Sequence, residues 1–522
     1  MKKLLTLALA LIMMMAMCAS ALAYDGEIIT LTADSDVDPF TWDPETDAMA
    51  AWIQDNFGLN LVQSETNYYN IGSDVLKMAA NDGDAPDVFA ADILYDATLI
   101  TQLIPDESVA EIPEELLDKY PLTKALVEND QVSQIVKNMY GGYYFLPKPD
   151  SADTSIYLGE RKGIYIRKDW LEALGLEMPT TWEELYEVAH AFTYGDPDGN
   201  GKDDTFGLTG DGMGQLRDFF AATGSSNIYW NRDEDGNWYH GALDDKNAEI
   251  LEWLRKMYED GSLDPDFGAS TWQEGLRKFS NNSFGMCVRN ADADWINGVA
   301  VKYYGAANPD CNPFDRIDVI PTLGINKGDE PCMEGYISCM VGTMFNADIS
   351  EEALDRFLNY FEFLISDEGK YLRMGFEGVD WVREDGKIVL TVDENGNNSA
   401  ATLATRYPCA PVTHWPSWGF ELQAYPEVEY FELYNDETKA LNAKACETRN
   451  KNVVYPEIGP MLIDDDIVKD AAAIGFTARY WQIVSGTEPV ADMWAAFKEE
   501  ANTLYYDAAT KVVEQYAEEY GW

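Results

Sequence analysis

The sequence predicts an α/β protein built from at least two lobes. The chain has 522 residues, more than one compact hydrophobic core accommodates. Short apolar strands at 28–31 and 87–90 enclose helices predicted at 48–57 and 71–81, an order typical of an α/β lobe. With 46% hydrophobic and 13% aromatic residues, the chain is predicted to be globular and not a disordered acidic tail.

The N-terminal segment 1–23 has the pattern of a secretory signal peptide. Two lysines precede an apolar run at 4–17, and the small-residue site Ala21-Leu22-Ala23 follows. Cleavage after this site is one interpretation, and a lipid anchor on Cys18 is the alternative. No later segment approaches the ~20 apolar residues of a membrane span. We therefore expect a soluble exported protein, extracellular and associated with the cell surface.

The charge balance excludes several classes of partner. The chain carries 37 basic and 92 acidic residues, a formal net charge of −55. Such a surface repels phosphate backbones, so we expect neither nucleic acid nor anionic membranes as partners. A strongly anionic ligand is also disfavoured, although salt screens the field beyond roughly 8 Å. A solvated acidic surface that keeps an exported protein soluble is the simplest interpretation.

Cysteine and histidine usage gives little sign of a transition-metal site. Six cysteines follow the predicted signal peptide, and none forms a C-x-x-C pair. In an exported protein, Cys311 and Cys332 are the candidates for a disulfide. The chain has three histidines, and only His414 lies within a few residues of a cysteine. We expect no structural zinc.

The acidic loop 196–205 carries the spacing of a calcium site. Three oxygen-bearing side chains occupy alternate positions, a glycine then permits a sharp turn, and a carbonyl and another carboxylate follow. The twelfth position, a bidentate Glu in an EF-hand, is Gly207 here, so the loop is not a complete EF-hand. A Gly/Asp-rich surface turn is the alternative. The predicted ligands of a structural Ca²⁺ are Asp196, Asp198, Asn200, Lys202 (through its carbonyl) and Asp204.

Helix signals are clear at three further places. Thr181 and Glu184 form a predicted capping box before an amphipathic helix. A second helix is predicted at 247–260, and a long amphipathic helix at 494–520 ends the chain.

Several segments occur in the order found in family 1 of the extracellular solute-binding proteins. They are GDAPDVF (83–89), IRKDWLEALGLEMPTTWEEL (166–185), the acidic loop, WLRKMYEDGSLDPDF (253–267) and FEGVDW (376–381). The ordered set covers nearly the whole mature chain and resembles the subgroup of alginate-oligosaccharide-binding lipoproteins with a calcium loop. In that subgroup the last loop aspartate is often followed by Glu. Here Thr205 follows it, which implies a weaker or lower-charge site.

The resemblance implies a two-lobed periplasmic-binding-protein-like fold of type II, with several crossover strands and a ligand cleft between the lobes. Crossings are expected near 163–166, 342–345 and 408–412. The implied function is to capture an oligosaccharide by hinge closure and deliver it to the permease subunits of an ABC importer. We expect a monomer without catalytic residues. The predicted lobes are 24–165 plus 343–410, and 166–342 plus 411–522.

Sugar binding requires flat aromatic platforms beside hydrogen-bonding groups, and the chain offers 15 Trp and 30 Tyr. The resemblance implies a stacking role for the tryptophan after the predicted strand 284–288. Asp292 lies beside this tryptophan, Trp381 follows the EGVD turn, and Trp415 and Trp418 lie in a proline-containing loop. Asp92 lies at the carboxyl end of the PDVF strand, and α/β sheets bind ligands at such ends. Core packing is the alternative for each tryptophan. The predicted ligand-binding residues are Asp92, Asp292, Trp295, Trp381, Trp415 and Trp418.

A secreted glycoside hydrolase shares the export signal, the aromatics and the acids. Its chemistry needs two carboxylates ~5–10 Å apart, and nothing in the sequence marks such a pair. The chain contains no G-x-S-x-G, H-E-x-x-H or G-x-x-x-x-G-K motif. An adhesion protein would show repeated modules, which are not seen. We therefore predict a carrier and keep the hydrolase as the alternative.

Overall fold

The computed structural model describes residues 24–522 except 25, 35–38, 67, 95, 149–158, 336, 338–340, 385–386, 393–398, 400–401, 414–434 and 473. The predicted signal peptide with Cys18, together with Trp415 and Trp418, lies outside the described residues. Strands and helices occur throughout, so the predicted α/β class is confirmed. The chain divides into two compact units, unit 1 (Met1–Thr154 and Ser338–Tyr430) and unit 2 (Ser155–Ile337 and Phe431–Trp522).

The elements are numbered in chain order through both units. The strands are β1 Ile29–Asp34, β2 Leu59–Gln63, β3 Val88–Ala91, β4 Phe145–Lys148, β5 Lys162–Arg167, β6 Phe206–Thr209, β7 Trp230–Arg232, β8 Trp238–His240, β9 Phe284–Asn290, β10 Ile317–Ile320, β11 Met333–Glu334, β12 Val341–Phe345, β13 Trp381–Glu384, β14 Lys387–Leu390 and β15 Val453–Val454. The helices are α1 Ala48–Phe57, α2 Tyr68–Ile71, α3 Ser73–Asp82, α4 Thr98–Thr101, α5 Glu114–Leu117, α6 Pro121–Asn129, α7 Gln131–Tyr140, α8 Lys168–Leu174, α9 Trp182–Tyr194, α10 Met213–Leu216, α11 Asn247–Glu259, α12 Trp272–Ser280, α13 Ala293–Asn297, α14 Glu351–Leu364, α15 Leu403–Arg406, α16 Asp436–Arg449, α17 Asp466–Ala472, α18 Phe476–Val484, α19 Val490–Ala501 and α20 Asp507–Tyr520.

Unit 1 contains a five-stranded sheet in the order β2-β1-β3-β12-β4. β1 is parallel to β2 and β3, whereas β12 is antiparallel to β3 and β4. The carboxyl ends of β1 to β4 therefore share one edge with the amino end of β12. All four residues of β3 are buried, as expected for a strand covered on both faces. Helices α1 and α14 pack Ile53 and Phe357 into the core of this unit.

Unit 2 contains a four-stranded sheet in the order β10-β5-β9-β6. β5 is antiparallel to β9 and β10, and β6 is parallel to β9. The carboxyl ends of β6, β9 and β10 therefore share one edge with the amino end of β5. Behind the sheet, Trp170, Trp182 and Phe192 from α8 and α9 are buried in the core. The small sheets are β13–β14 in unit 1 and β7–β8 and β11–β15 in unit 2.

The chain passes from one unit to the other at 154–155, 337–338 and 430–431, and the crossings were predicted near 163–166, 342–345 and 408–412. β5 pairs with β9 and β10, so the region predicted as a crossing at 163–166 lies wholly in the sheet of unit 2. β12 pairs with β3 and β4, so 342–345 lies within the sheet of unit 1. The region 408–412 also stays in unit 1, because the Tyr360 hydroxyl donates to the Val412 carbonyl at 3.0 Å. Hydrogen-bonded pairing across the sheets, which local pattern does not reveal, accounts for these differences.

The predicted helices are confirmed with local corrections. α1 begins at Asp47, whose carboxylate accepts hydrogen bonds from the first turn. The predicted capping box of α9 is half formed: Thr181 Oγ1 accepts from the Glu184 N–H at 3.2 Å, but the Glu184 carboxylate bonds to Thr180. The C-terminal helix predicted at 494–520 contains a π-helical turn, Asn502–Tyr506, between α19 and α20.

The predicted disulfide is absent. Cys311 and Cys332 are both free thiols in the structure, as are the other described cysteines. Cys311 Sγ instead lies 3.4 Å from the Asn308 carbonyl, and Cys332 Sγ contacts a backbone carbonyl of its own segment. No helix of the described residues is both long enough and apolar enough to cross a membrane.

Candidate functional site

The ligand-edge of unit 2, defined here as the carboxyl ends of β6 and β9 with the amino end of β5, gathers charged and aromatic side chains. Lys162 at the start of β5 donates to Asn290 Oδ1 at the end of β9, at 2.6 Å. The neighbouring Arg289 Nη1 donates to Asp211 Oδ2 at 3.1 Å, just beyond β6. Strand pairing thus brings together residues that are 78 and 128 positions apart in the sequence, since hydrogen-bonded neighbours in a sheet need not be neighbours in the chain.

Arg289 is the centre of an aromatic cluster at this edge. Its guanidinium carbon lies 4.1 Å from the ring centroid of Trp295 and 5.2 Å from that of Trp272. The two indole rings meet edge to face, with centroids 5.8 Å apart. Cation–π contacts of this kind attract the guanidinium to the ring faces and leave ring edges and N–H groups for other partners. Both tryptophans are half-buried, so each keeps exposed surface.

Two helix caps position these rings. Asp292 caps α13: its Oδ1 accepts from the Trp295 N–H at 3.0 Å. Thr271 and Glu274 form a complete capping box at the start of α12, whose first residue is Trp272. Because a cap fixes the first turn of a helix, it also fixes the direction in which that turn presents its side chains. Trp295 and Trp272 are therefore presented by rigid starts of helices and not by loops.

Several buried polar atoms at this edge lack hydrogen-bond partners among the described residues. They are Asp211 Oδ1, Gln215 Oε1 and Arg289 Nε. Burial raises the pKa of Asp211, against the lowering effect of the nearby Arg289. A buried polar atom without a partner costs about 1–3 kcal/mol, so such atoms are typical of sites that are completed by water or a ligand.

An acidic group lies beside Lys162. Glu160 donates its N–H to the Glu334 carbonyl at 2.8 Å, and the Glu334 carboxylate accepts from the Asn227 N–H at 3.1 Å. Burial, reinforced by the charge of Asp218, raises the pKa of Glu160 to about 7. Burial also raises the pKa of Asp218 and, more strongly, that of Glu334. Part of this group is thus protonated near neutral pH and able to donate hydrogen bonds.

The corresponding edge of unit 1, formed by the carboxyl ends of β1 to β4 and the amino end of β12, also carries charged residues. Asp34 ends β1 and is fully buried, and Lys148 ends β4 with 3% of its surface exposed. Asp92 follows β3 directly and is half-buried. The predicted placement of Asp92 beyond the carboxyl end of a strand is confirmed. Asp34 and Lys148 were not singled out in the sequence, because their position at one edge of the sheet depends on the order β1-β3-β12-β4.

The other predicted ligand-binding residues have mixed outcomes. Asp292 lies at the ligand-edge of unit 2 but is 4% exposed and occupied by the cap of α13. Trp381 is 4% exposed, packs against Tyr371 and donates its indole N–H to the Gly375 carbonyl at 2.9 Å. The structure therefore assigns Trp381 to core packing, a correction to the predicted role. Trp415 and Trp418 lie outside the described residues.

The acidic loop folds around Asn200. Asn200 Nδ2 donates to Asp198 at 2.7 Å and to Asp204 at 3.0 Å, and its backbone N–H donates to Asp196 at 3.0 Å. The Lys202 N–H donates back to Asn200 Oδ1 at 2.8 Å. Asp196 adopts a φ of +49°, which turns the chain sharply at the start of the loop. Three carboxylates therefore converge on the donors of one residue.

The donor set of this loop fits Ca²⁺ chemically, because all its side-chain donors are hard oxygens. Within the described part of the chain, however, no group of three or more His, Cys, Asp or Glu side chains is arranged as a ready-made metal site. In the structure N–H groups, and not a preformed cage, hold the carboxylates. The fit thus lies in the ligand types and their spacing.

Arg289, Asp211 and Trp272 are the members of the site that the sequence analysis missed. An arginine at the end of a buried strand, FGMCVRN, interrupts an otherwise apolar run and was a usable signal. Asp211 lies in a Gly-rich segment that gave no such signal. Trp272 follows a T-x-x-E capping box, which marks a helix start but not a binding role.

Comparison with known proteins identifies the family to which this chain belongs. Residues 60–328 match the family described as bacterial extracellular solute-binding protein. This chain belongs to that family. The predicted resemblance is confirmed at this level, and the matched range includes the acidic loop and the ligand-edge of unit 2.

Two characterised relatives are similar to this chain over part of their length. The polygalacturonan/rhamnogalacturonan-binding protein YtcQ of Bacillus subtilis is 35% identical over 133 residues, 25% of this chain and 26% of YtcQ. The fructooligosaccharide ABC transporter substrate-binding protein FusA of Streptococcus pneumoniae is 28% identical over 271 residues, 49% of this chain and 48% of FusA. The chain thus matches about half or less of the length of these two relatives.

Solved structures show the same fold over nearly the whole chain. FusA of S. pneumoniae in complex with kestose superposes with a TM-score of 0.63 at 19% identity, covering 94% of this chain and 99% of that one. An extracellular solute-binding protein from Bifidobacterium longum subsp. infantis gives a TM-score of 0.69 at 14% identity, covering 96% and 100%. The predicted solute-binding-protein fold is therefore confirmed.

Proposed function

We propose that this protein is the extracellular solute-binding component of an ABC importer and that it captures a neutral oligosaccharide. Family membership supports solute binding, and the FusA relative is a fructooligosaccharide-binding member of an ABC transporter. The single observation that carries the sugar assignment is the aromatic cluster at the ligand-edge of unit 2. Half-buried Trp272 and Trp295, braced by Arg289, provide apolar ring surface beside unsatisfied polar atoms. Sugars require this combination.

The charge distribution supports a neutral ligand. Arg289 is paired with Asp211, and Lys162 donates to Asn290, so these two cations already have partners within the protein. The formal net charge of −55 opposes a carboxylate or phosphate on the ligand. The proposed mechanism is closure of two lobes on the sugar, then delivery to membrane permease subunits without chemical change.

Two further features belong to this proposal. The loop 196–205 would hold a structural Ca²⁺ through Asp196, Asp198, Asn200, Asp204 and the Lys202 carbonyl. Two solved neighbours of the same fold, a FusA EF-hand mutant and the alginate-binding protein AlgQ2 without calcium ion, support this part of the proposal. Export would follow signal-peptide recognition, with Cys18 as the residue that a lipid anchor would modify.

The test is a tryptophan-fluorescence titration of the full mature chain with neutral oligosaccharides (kestose, maltotriose, cellotriose and xylotriose) and with trigalacturonate. We expect a saturable response to at least one neutral sugar, and the part of this response that comes from the ligand-edge of unit 2 should be lost in the Trp295→Ala variant. The matched control is Trp381→Phe, at a buried ring, which should keep the affinity. A response to trigalacturonate alone would contradict the neutral ligand, and release of shorter sugars would favour the glycoside hydrolase.

A further inference from the structure

A cavity lies in unit 2 between the β7–β8 hairpin and the C-terminal helical segment. Its volume is roughly 820 Å³, which is within the range of small-molecule sites. We call it the hairpin groove. None of its lining residues belongs to the ligand-edge of unit 2 described above. The lining residues are Asp233, Trp238, Tyr239, His240, Leu243, Asp244, Asp245, Lys246, Lys498, Asn502, Tyr506, Asp507, Thr510, Lys511 and Glu514.

One wall of the hairpin groove is a single helix face. Lys498, Asn502, Tyr506, Thr510 and Glu514 are spaced four residues apart, and residues so spaced lie above one another on a helix. The face runs from α19 through the π-helical turn into α20. π-helical turns are rare and frequently occur at functional sites. Amide, hydroxyl and carboxylate groups thus line this wall in register.

The floor of the groove is aromatic. Tyr506 and His240 are buried with ring centroids 5.0 Å apart, and the Tyr506 hydroxyl is engaged with the Ala471 carbonyl at 2.9 Å. Trp238 is 8% exposed, and one side of its ring is covered by the Arg232 guanidinium at 4.2 Å. Tyr239, next in the strand, is half-buried and also lines the groove. The floor therefore combines a rigid base with one accessible ring.

The charges of the groove disfavour an anion. Five carboxylates and three lysines line it. Of the lysines, Lys498 pairs with Asp245 at 2.5 Å and Lys246 Nζ donates to the Thr223 carbonyl at 2.9 Å. Acceptors thus outnumber the lysines that remain for a ligand. A polyhydroxylated neutral ligand suits such a surface, because its hydroxyls donate to carboxylates while its C–H faces cover a ring.

From this geometry we infer that the hairpin groove is a second oligosaccharide-binding site, separate from the ligand-edge. It shares the ligand class of the proposed function and holds a stretch of a neutral sugar against Tyr239 and the helix wall. A second site on an exported carrier would raise the amount of sugar retained per chain and would engage the free part of a longer glycan.

The test uses saturation-transfer NMR and stoichiometry measurements on the full mature chain with kestose and maltotriose as probes. The Trp295→Ala variant removes the ring of the ligand-edge and should still bind one sugar per chain. Adding Tyr239→Ala should weaken that remaining binding about five- to tenfold, as expected for loss of an aromatic contact. Adding Tyr505→Ala instead is the matched control, since Tyr505 lies in the same π-helical turn but does not line the groove.

Blocking the groove provides an independent arm. Thr510→Arg, at a half-buried helix position, should reduce the stoichiometry of the otherwise unchanged chain from two sugars to one. The inference is overturned if Trp295→Ala binds neither probe, or if Tyr239→Ala and Thr510→Arg leave binding as it was. If the groove fails these tests but the wild-type chain still binds one sugar that depends on Trp295, the proposed function stands without the second site. Binding that depends on Tyr239 but not on Trp295 would support the groove and contradict the ligand-edge.

Discussion

At the residue scale, the ligand-edge of unit 2 depends on side chains that orient other side chains. Asp292 was predicted to accept sugar hydroxyls, but its carboxylate is buried and bonded to the Trp295 N–H. Arg289 is held by Asp211 and by two rings. The rings and the unsatisfied polar atoms therefore form the surface offered to a ligand, and the buried charges behind them fix its shape.

The role of Asp292 can be separated from direct contact with the sugar. Asp292→Ala removes the cap of α13, which should cost about 1 kcal/mol of stability and loosen Trp295, so that sugar affinity falls. Asp292→Asn retains a capping oxygen, so this variant should keep most of the stability and most of the sugar affinity. Thermal melts and calorimetric titrations of the two variants measure these effects. Equal loss of affinity in both variants would instead show that the carboxylate itself binds the sugar.

His240 gives the protein a defined acid sensitivity. Its ring is buried among Trp230, Phe476 and Tyr506, and burial lowers its pKa from 6.5 to about 3. The unfolded chain therefore binds a proton below pH 6.5 that the folded chain binds only near pH 3. Stability from this group is complete above pH 6.5 and is lost as the pH falls towards 3, with about 2 kcal/mol lost by pH 5.

The measurement is denaturant unfolding from pH 7 to pH 4 for the wild type, for His240→Phe and for His190→Gln. The stability gap between wild type and His240→Phe should shrink as the pH falls, because the variant lacks the titrating ring. His190 is half-exposed and pairs with Asp260, so His190→Gln serves as the control. A gap that stays constant with pH would refute the assignment.

At the element scale, caps and periodicity predicted the helices well, and strand neighbours could not be read from the chain. The starts of α1, α9 and α11 and the strands at 29–34 and 88–91 follow from local signals. β2 was missed because LNLVQ is short and directly follows α1. The π-helical turn was missed because the apolar spacing at 494–520 fits an uninterrupted helix. Trp381 was misassigned because a tryptophan beside a turn has the same local pattern whether exposed or buried.

The acidic loop provides the prediction at this scale. Adding Ca²⁺ should raise the stability of the chelator-treated protein, by about 2.7 kcal/mol when the ion is 100-fold above its Kd. Asp198→Ala should abolish this gain, because Asp198 supplies one of the converging carboxylates. Melting curves with EDTA and with added Ca²⁺ measure the difference.

The chain offers a matched control in the β7–β8 turn, which is equally acidic. There Asp233 accepts from the N–H groups of Asp235 and Asn237, at 3.0 and 2.8 Å. These three residues repeat the alternate spacing of the calcium pattern, but the turn has Trp238 and Gly241 where the acidic loop has Gly201 and Asp204. Asp235→Ala should leave the response to Ca²⁺ intact. Identical melts of the wild type with and without chelator would remove the metal from the account.

At the scale of the whole molecule, length predicted at least two lobes, the N-terminal segment predicted export, the strand–helix–strand order predicted an α/β fold, and the ordered motifs predicted the family. Strand pairing could not be predicted from position along the chain, because β5 and β12 pair with strands far away in sequence. Asp92 and Trp295 could be proposed as ligand-binding residues because each follows a strand. Arg289, Asp211 and Trp272 come together only through the order β5-β9-β6 and the packing of α12 and α13.

The central claim is that the protein binds a neutral oligosaccharide reversibly and returns it unchanged. The most direct measurement is a calorimetric titration with the neutral sugar that gives the largest fluorescence response, followed by mass spectrometry of the sugar recovered after long incubation. The account predicts saturable binding whose component at the ligand-edge of unit 2 is at least tenfold weaker in Trp295→Ala, and recovered sugar of unchanged mass. Recovered sugar shortened by hydrolysis, or binding indifferent to Trp295, would contradict it.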